Sequence, residues 1–148
     1  MSIQATYSNG EVSWRMVGYS QIFEETGELG VLEYGKELDF VVKRIFYLRG
    51  IKKNAMRGFH SHKDLKQLIV CLNGEFTIEL DNGSEKISKR MKADNQCLYL
   101  DGKVWREMKD FTEDALIVVL CDKEYIYDEV VREYLLFSEN IAKLNNDL

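Results

Sequence analysis

The sequence predicts an all-β domain, a sandwich or barrel of short strands followed by one C-terminal α-helix. Two observations lead to this fold class. The middle of the chain is a series of short runs in which apolar and polar residues alternate, and its end has apolar residues at helical spacing instead. The 148 residues contain no proline and no linker-like stretch, so we expect a single domain over residues 1–148.

The predicted strands are runs of period two bounded by turn residues. The turns contain residues that tolerate the positive φ of tight hairpins, namely Asn73-Gly74, Asp81-Asn82-Gly83 and Asp101-Gly102. The runs cover residues 29–34, 39–48, 65–72, 76–80, 96–100 and 115–121. Many short strands joined by polar turns are typical of sandwiches and barrels.

The period changes near the end of the chain. One set of apolar residues there follows the spacing i, i+4, i+7, i+11 and i+14, namely Val130, Tyr134, Phe137, Ile141 and Leu144. This spacing predicts one apolar face of a helix over residues 129–144. We expect the helix to pack on the outside of the β unit.

Composition excludes several functional classes. Twenty Lys and Arg against 25 Asp and Glu give a net charge of −5, which offers no general basic field for nucleic acid. The longest apolar run, 115–121, is far shorter than the roughly 20 residues of a membrane-spanning helix. The N-terminus carries no secretion signal, so we expect a cytoplasmic protein without membrane or nucleic-acid partners. Cys71, Cys97 and Cys121 lie in apolar runs, which predicts core residues rather than disulfides.

Both histidines of the chain form a single HxH pattern, His60 and His62, within RGFHSHKDLKQ. On an extended segment, residues i and i+2 project to the same face, so the two imidazoles would point together. Such a pair suits metal binding or proton transfer, and the alternative is a surface pair beside a turn.

The spacing of Gly58, His60, His62, Gln67 and Gly74 resembles the first motif of the cupin superfamily, whose fold is a jelly-roll-like double-stranded β-barrel. Metal-binding cupins carry Glu at the position of Gln67 and a further His in a second motif. That motif resembles residues 98–107 here, with Arg106 at the ligand position. A permanent cation there would repel a metal ion, and two imidazoles with an amide are too few donors. We therefore predict no metal and no cofactor, and assign proton transfer to the histidines.

Two longer strings, RGxHxHKxLKQ and VWxEMxDF, extend the resemblance over residues 40–137. They are similar to the metal-free cupin sugar-nucleotide 3,4-ketoisomerases, the FdtA-like and QdtA-like enzymes. The resemblance implies isomerisation of a dTDP-linked substrate, dTDP-4-keto-6-deoxyglucose, to the 3-keto sugar by a homodimer. An aminotransferase would then form a 3-amino-3,6-dideoxysugar of lipopolysaccharide or S-layer glycans. The essential histidines of the family fall on His60 and His62.

Three positions depart from the most familiar family pattern. Gly102-Lys103 replaces a Pro-Gly-like loop, Arg106 stands where some members have His, and Thr26 stands where some have Arg. The His and Arg combination is typical of the galacto-product branch, so the resemblance favours the gluco product.

A 3,4-keto shift needs a base, an acid and stabilisation of an enolate oxygen. His60 is the candidate base and His62 the candidate acid or relay, although the reverse order is equally compatible with the sequence. Arg44 and Arg57 are the candidate pyrophosphate ligands, because guanidinium groups suit phosphate oxygens. The alternative for each arginine is an ordinary solvated or ion-paired strand residue.

Gln67 lies in an apolar row with Leu65 and Ile69, so it needs a polar partner such as a ligand hydroxyl or an imidazole. Arg106, followed by Glu107, is a candidate contact to carbon 4 of the sugar, and the alternative is a salt bridge at the rim.

Three aromatic residues complete the candidate substrate-binding set. Tyr47 and Tyr99 are candidate phosphate or sugar contacts, and Trp105 is a candidate stacking partner for the base. Aromatic strand residues are often part of the core, which is the alternative for all three.

Three other functions compete with the ketoisomerase. A related 3,5-epimerase also enolises a 4-keto sugar, but its His–Asp dyad and catalytic Tyr motifs are not found in this sequence. A non-catalytic cupin that binds a sugar nucleotide would not need two imidazoles on one face. A metal-dependent cupin oxygenase would require bound iron or manganese.

Overall fold

The computed structural model describes residues 3–146, which contain thirteen strands, one 3-10 turn and one α-helix. The strands are β1 (Gln4–Thr6), β2 (Val12–Gly18), β3 (Ser20–Glu24), β4 (Gly27–Val31), β5 (Arg44–Leu48), β6 (Arg57–His62), β7 (Lys66–Asn73), β8 (Glu75–Asp81), β9 (Lys86–Lys92), β10 (Gln96–Asp101), β11 (Trp105–Lys109), β12 (Leu116–Cys121) and β13 (Val130–Val131). The 3-10 turn covers Tyr127–Glu129, and helix α1 covers Tyr134–Asn146.

Two antiparallel sheets form the β unit. The first has the strand order β1-β2-β10-β7-β12-β5, the second has β13-β6-β11-β8-β9, and β3 pairs only with β4. Alternate residues of both sheets join in one buried apolar cluster that includes Trp14, Phe76, Ile78, Leu100 and Ile117. The predicted all-β double-stranded barrel with a C-terminal helix is confirmed, although the hydrogen-bonded ladders do not close into one continuous sheet.

The outer face of the six-stranded sheet is covered by residues 32–42. Leu38 and Phe40 pack there on Leu68, Val70 and Tyr99. The predicted strand over 39–48 therefore begins only at Arg44. Phe40 and Val42 are apolar because they pack in this outer cluster, not because they pair in the sheet.

The predicted helix is confirmed, but its start at residue 129 is wrong. Val130 and Val131 instead form strand β13, which pairs with Ser61 and His62 at the edge of β6. The helix begins at Tyr134, and its apolar face buries Phe137 and Ile141. The short strand covers an otherwise open sheet edge, which explains why an apolar pair precedes the helix.

Several strands escaped the sequence analysis, mainly β1, β2, β3, β9 and β11. Strand β9 has the sequence KISKRMK, in which cations surround the buried Met91. It is the edge strand of its sheet, where charged residues are typical and weaken the alternating pattern.

The three cysteines are free and buried, as predicted. None of the helical segments within residues 3–146 has the length and apolar character needed to cross a membrane.

Candidate active site

A β-bulge positions the two histidines. In the pairing of β6 with β11, His60 faces Arg106 and Gly58 faces Glu107, so Phe59 is the extra residue. Gly58 has φ +90° and Phe59 has φ +57°. A Cβ at position 58 would meet the carbonyl oxygen of Arg106 at 2.8 Å, so both the conformation and the space require glycine. Because the bulge absorbs one residue, His60 and His62 face the interior of the β unit.

The two imidazoles contact each other. Their Nε2 atoms lie 3.1 Å apart, and the rings meet edge to face with centroids at 4.8 Å. One ring must donate and the other accept in this hydrogen bond. His62 is 8% exposed and lies deeper than His60, which remains partly accessible. The predicted placement of both rings on one face is therefore observed.

Burial lowers the pKa of both histidines, and the nearby charge of Arg106 lowers it further. The pKa of His60 falls to about 4, and that of His62 falls to about 2. A hydrogen bond from His60 to the backbone of Gly58 partly opposes the shift. Both rings are thus neutral at pH 7.

Arg106 is a buried cation without a carboxylate partner in the described part of the chain. It is 2% exposed, and its guanidinium donates to the side-chain oxygen of Gln67 and to the carbonyl oxygens of Gly102 and Val104, at 3.0 and 3.1 Å. Burial lowers its pKa to about 10, so it stays charged at neutral pH. The alternative of a salt bridge at the rim is wrong.

Arg44, Cys121 and Gln67 form one row across β5, β12 and β7 on the inner face of the larger sheet. The thiol of Cys121 lies 3.5 Å from both the Arg44 guanidinium and the Gln67 amide nitrogen. The predicted apolar row around Gln67 is observed, since Leu65 and Ile69 belong to the interior cluster. Its polar partners are a guanidinium and a thiol, not an imidazole.

Sequence reasoning missed Cys121 as a neighbour of the site. The signal was the alternation in residues 115–121, which puts Cys121 on the same inward face as Ile117 and Val119. The register that sets it beside Gln67 depends on a pairing between distant strands.

The described side chains do not form a metal-binding group. Within residues 3–146, no group of three or more His, Cys, Asp or Glu side chains could hold a metal ion. The second-motif position is held by Arg106, and its guanidinium is directed to oxygen acceptors.

Arg57 lies at the exposed start of β6, opposite Met108, which faces the interior. The register therefore sets Arg57 on the face of the histidine pair, at its solvent end. Thr26 lies in the exposed turn between β3 and β4, and no hydrogen bond among the described residues joins it to the histidines.

Four predicted ligands face away from the histidine pair. Trp105 and Glu107 lie on the outer face of β11, where the indole nitrogen donates to the carboxylate at 2.9 Å and Trp105 packs on α1. Tyr99 belongs to the outer cluster of the larger sheet. Tyr47 is 59% exposed on the outer face of β5. The one-chain structure does not bring these residues into the site, because strand alternation directs them outward.

The family description that matches this chain reads "FdtA: WxcM-like, C-terminal" and covers residues 13–142. A curated relative, TDP-4-oxo-6-deoxy-alpha-D-glucose-3,4-oxoisomerase of Aneurinibacillus thermoaerophilus, is 35% identical over 133 residues, which are 88% of this chain and 94% of the relative.

Two solved structures extend the similarity to three dimensions. QdtA, a sugar 3,4-ketoisomerase of Thermoanaerobacterium thermosaccharolyticum solved with TDP, superposes with a TM-score of 0.85 at 31% identity, over 89% of this chain and 96% of that one. WlaRB, a TDP-quinovose 3,4-ketoisomerase of Campylobacter jejuni, gives a TM-score of 0.81 at 31% identity, over 86% and 98%. The family match over residues 13–142, together with the 35% identity to the curated relative, shows that the chain belongs to the FdtA and WxcM-like family.

Proposed function

We propose that this protein is an isomerase that converts dTDP-4-keto-6-deoxyglucose to the 3-keto sugar by proton transfer. The observation that carries the proposal is the neutral pair of His60 and His62 beside the charged Arg106. The relatives described above are named as 3,4-oxoisomerases or 3,4-ketoisomerases, which supports the proposal. A histidine-to-asparagine variant of QdtA, moreover, was solved with TDP-4-keto-6-deoxyglucose.

The reaction balances without an oxidant or reductant. A base removes the proton from carbon 3, and the electron pair forms a carbon 3–carbon 4 double bond as the 4-keto oxygen becomes an enediolate oxygen. A proton then returns to carbon 4, and the proton of the carbon 3 hydroxyl is transferred to the oxygen on carbon 4, so carbon 3 becomes the ketone and carbon 4 carries a hydroxyl. The charge of Arg106, held in a low-dielectric interior, favours the anionic enediolate.

We assign the proton transfer at the sugar to His60 and the relay to His62. His60 is the more accessible ring of the pair, since His62 is only 8% exposed. In the variants of QdtA, the substituted histidine and a substituted arginine are separated by the same number of residues as His60 and Arg106, which supports a role for His60 at the sugar.

Arg44 and Arg57 remain our candidates for the pyrophosphate. No carboxylate in residues 3–146 lies within 4.0 Å of either guanidinium. Guanidinium groups that have no carboxylate partner in an acidic protein are suited to bind phosphate oxygens.

We further propose the gluco product, destined for a 3-amino-3,6-dideoxysugar of a surface glycan. Arg106 supports it, since the resemblance associates His at this position with the galacto branch. The three free cysteines suit the reducing cytoplasm, where we place the enzyme.

We also propose a homodimer in which the β3–β4 hairpin covers a second copy of this chain. The hairpin exposes Ile22, Phe23 and Leu29, and it pairs with no other strand of the described chain. An isolated two-stranded hairpin is marginal in water, so a covering surface would stabilise it.

The decisive test is proton NMR of the chelator-treated protein with dTDP-4-keto-6-deoxyglucose in deuterated water. We expect deuterium at carbon 3 or carbon 4 together with conversion to a 3-keto sugar, and the coupling at carbon 4 identifies the epimer. Exchange at carbons 3 and 5 without a keto shift would indicate an epimerase instead. Binding without exchange would indicate a non-catalytic module.

Replacing His60 or His62 by Asn should lower kcat by about 10²–10⁴-fold, the usual contribution of a general acid or base. The dissociation constant for TDP should stay near that of the wild type, because a neutral amide replaces a neutral ring and removes no charge. Turnover and isothermal titration calorimetry measure the two effects. Near-normal turnover in both variants would refute the acid–base assignment.

The plot of kcat/KM against pH should show no decrease around the ordinary pKa of histidine. His60 must be neutral to act as a base, and its pKa of about 4 keeps it neutral above about pH 5. We therefore expect kcat/KM to stay level between pH 8 and about pH 5 and to fall below that. Circular dichroism at each pH checks that the protein is folded. A fall centred near about pH 6.5, the ordinary value, would contradict the buried pair.

Sedimentation equilibrium should give twice the 17.3 kDa mass of one chain. Phe23→Asp should shift this mass toward the monomer, because it places a charge in the apolar contact. A wild-type protein that is monomeric at micromolar concentration would refute the proposed dimer contact of the β3–β4 hairpin.

A further inference from the structure

The turn of residues 101–104, between β10 and β11, contacts both the buried cation and the histidine pair. The Gly102 carbonyl oxygen accepts a hydrogen bond from the Arg106 guanidinium at 3.0 Å and one from the backbone nitrogen of His62 at 2.6 Å. A Cβ at position 102 would lie only 3.0 Å from the Cβ of His62, so the turn packs directly on the end of β6. A displacement of this turn would therefore move the cation and one histidine together.

The side chain of Asp101 holds the turn in shape. Its Oδ1 accepts from the backbone nitrogen of Lys103 at 2.9 Å, and the Lys103 ammonium lies 3.1 Å from the same oxygen. An aspartate that accepts from the backbone two residues further on is a typical turn former. Arg106 contacts only the backbone carbonyl oxygen of Asp101, at 3.4 Å. The carboxylate therefore acts on the turn and does not contact the guanidinium.

Tyr7 holds this carboxylate from the other end of the chain. The residue follows β1, is 3% exposed and belongs to the interior apolar cluster. Its hydroxyl donates to Asp101 Oδ1 at 2.9 Å. Burial, helped by the charge of Asp101, raises the pKa of Tyr7 above its usual value, so the phenol keeps the proton that it donates. A buried phenol needs such a partner, so the contact fixes both groups.

We propose that Tyr7 and Asp101 are positioning residues for the proton transfer, which hold Arg106 and His62 in their relative places through the 101–104 turn. This inference rests on the proposed function, in which these two groups act on the enolising sugar. In the described part of the chain, no hydrogen bond joins the side chain of Tyr7 or Asp101 to Arg106 or to a histidine. Their effect on the chemistry is therefore indirect, and a misplacement of about 1 Å can cost about 10²-fold in rate.

A second turn of the same kind offers a matched control. Asp81 ends β8, its Oδ1 accepts from the backbone nitrogen of Gly83 at 2.8 Å, and its carboxylate accepts from the Tyr134 hydroxyl. It also pairs with a lysine, Lys86, at 3.8 Å. Because Tyr134 belongs to α1, this turn faces the helix and not the histidine pair. Loss of either aspartate removes the same kinds of contact, but only the turn of Asp101 touches the site.

The histidines themselves are the probe that needs no substrate. The chain has only two of them, so protein without a histidine tag gives two imidazole Hε1 signals in proton NMR. The charges that lower the pKa of these rings are the guanidinium groups of Arg106, Arg44 and Arg132, and every variant below keeps all three. A titration of the two signals therefore reports how closely the interior holds its charges around the rings.

Asp101→Ala should raise the pKa of at least one histidine. In the wild type and in Asp81→Ala, we expect both rings to stay neutral above about pH 5, as burial requires. In Asp101→Ala, the displaced turn admits water and moves the Arg106 charge, so one pKa should rise to between about 5 and 6.5. Removal of a negative charge would by itself lower a histidine pKa, so a rise reports displacement of the turn.

Turnover tests the same variants on the reaction. Asp101→Ala should lower kcat by about 10–100-fold, with the dissociation constant for TDP unchanged, whereas Asp81→Ala should keep the wild-type kcat. Asp101→Asn should recover most of the loss, because its amide oxygen still accepts from Tyr7 and Lys103. Tyr7→Phe should lower kcat by about 3–10-fold, since the carboxylate loses only one of its bonds.

Circular dichroism and thermal unfolding check that each variant is folded. Should Asp101→Ala not fold, Tyr7→Phe carries the test, because it keeps the ring in the core and removes only the hydroxyl. A Tyr7→Phe protein with the wild-type kcat and unchanged histidine pKa values would then overturn the inference.

The wild type distinguishes this inference from the proposed function. A wild type that isomerises the substrate, with Asp101→Ala equal to Asp81→Ala in kcat and in histidine pKa, overturns the positioning role alone. A wild type that does not isomerise it, with a raised histidine pKa in Asp101→Ala only, supports the hold of the turn on the site and overturns the ketoisomerase. A wild type without turnover, in which neither aspartate variant changes a histidine pKa, overturns both.

Discussion

The buried charge of Arg106 is the constraint on which the site depends. A guanidinium inside a β unit costs a large desolvation free energy unless its donors are paired. Here backbone carbonyl oxygens of the 101–104 turn and the side-chain oxygen of Gln67 accept bonds from the two terminal nitrogens, while Nε has no partner within residues 3–146. These bonds join the two sheets through one cation. None of these acceptors carries a formal charge. The positive charge therefore remains available to its surroundings, and it contributes to the lowered pKa of both histidines.

Strand alternation divides the remaining candidate residues into two groups. The inner faces hold His60, His62, Gln67, Arg106 and Cys121, and Arg44 completes the row of the larger sheet. The outer faces hold the aromatic candidates and Glu107, which pack under α1 or the 32–42 segment, or lie exposed on β5. The bulge at Phe59 preserves this division in β6, because without an extra residue Arg57 and His60 would point to opposite faces.

Local patterns predicted much of this architecture. Alternation identified the central strands, the HxH spacing placed both imidazoles on one face, and the apolar row identified Gln67 as a buried polar residue. The same alternation misjudged residues 39–43, since apolar residues that cover a sheet look like residues within one. It also could not give the partners of Gln67, because the contacts to Arg106 and Cys121 join residues 39 and 54 positions apart. Trp105 shows the same limit, as its packing on α1 depends on where a distant helix lies.

Neutral histidines and a fixed cation are complementary requirements for enolisation. A base that is already protonated cannot take the proton from carbon 3, so the pair must stay neutral at the pH of the cell. The enediolate that forms needs positive charge close by, which a neutral pair does not supply. Arg106 contributes to both requirements, because the charge that would stabilise the enediolate also adds to burial, the larger cause, in lowering the pKa of the rings. Burial makes this coupling effective, since water between the groups would screen it. The interior position of Arg106 is therefore as important to the chemistry as its charge.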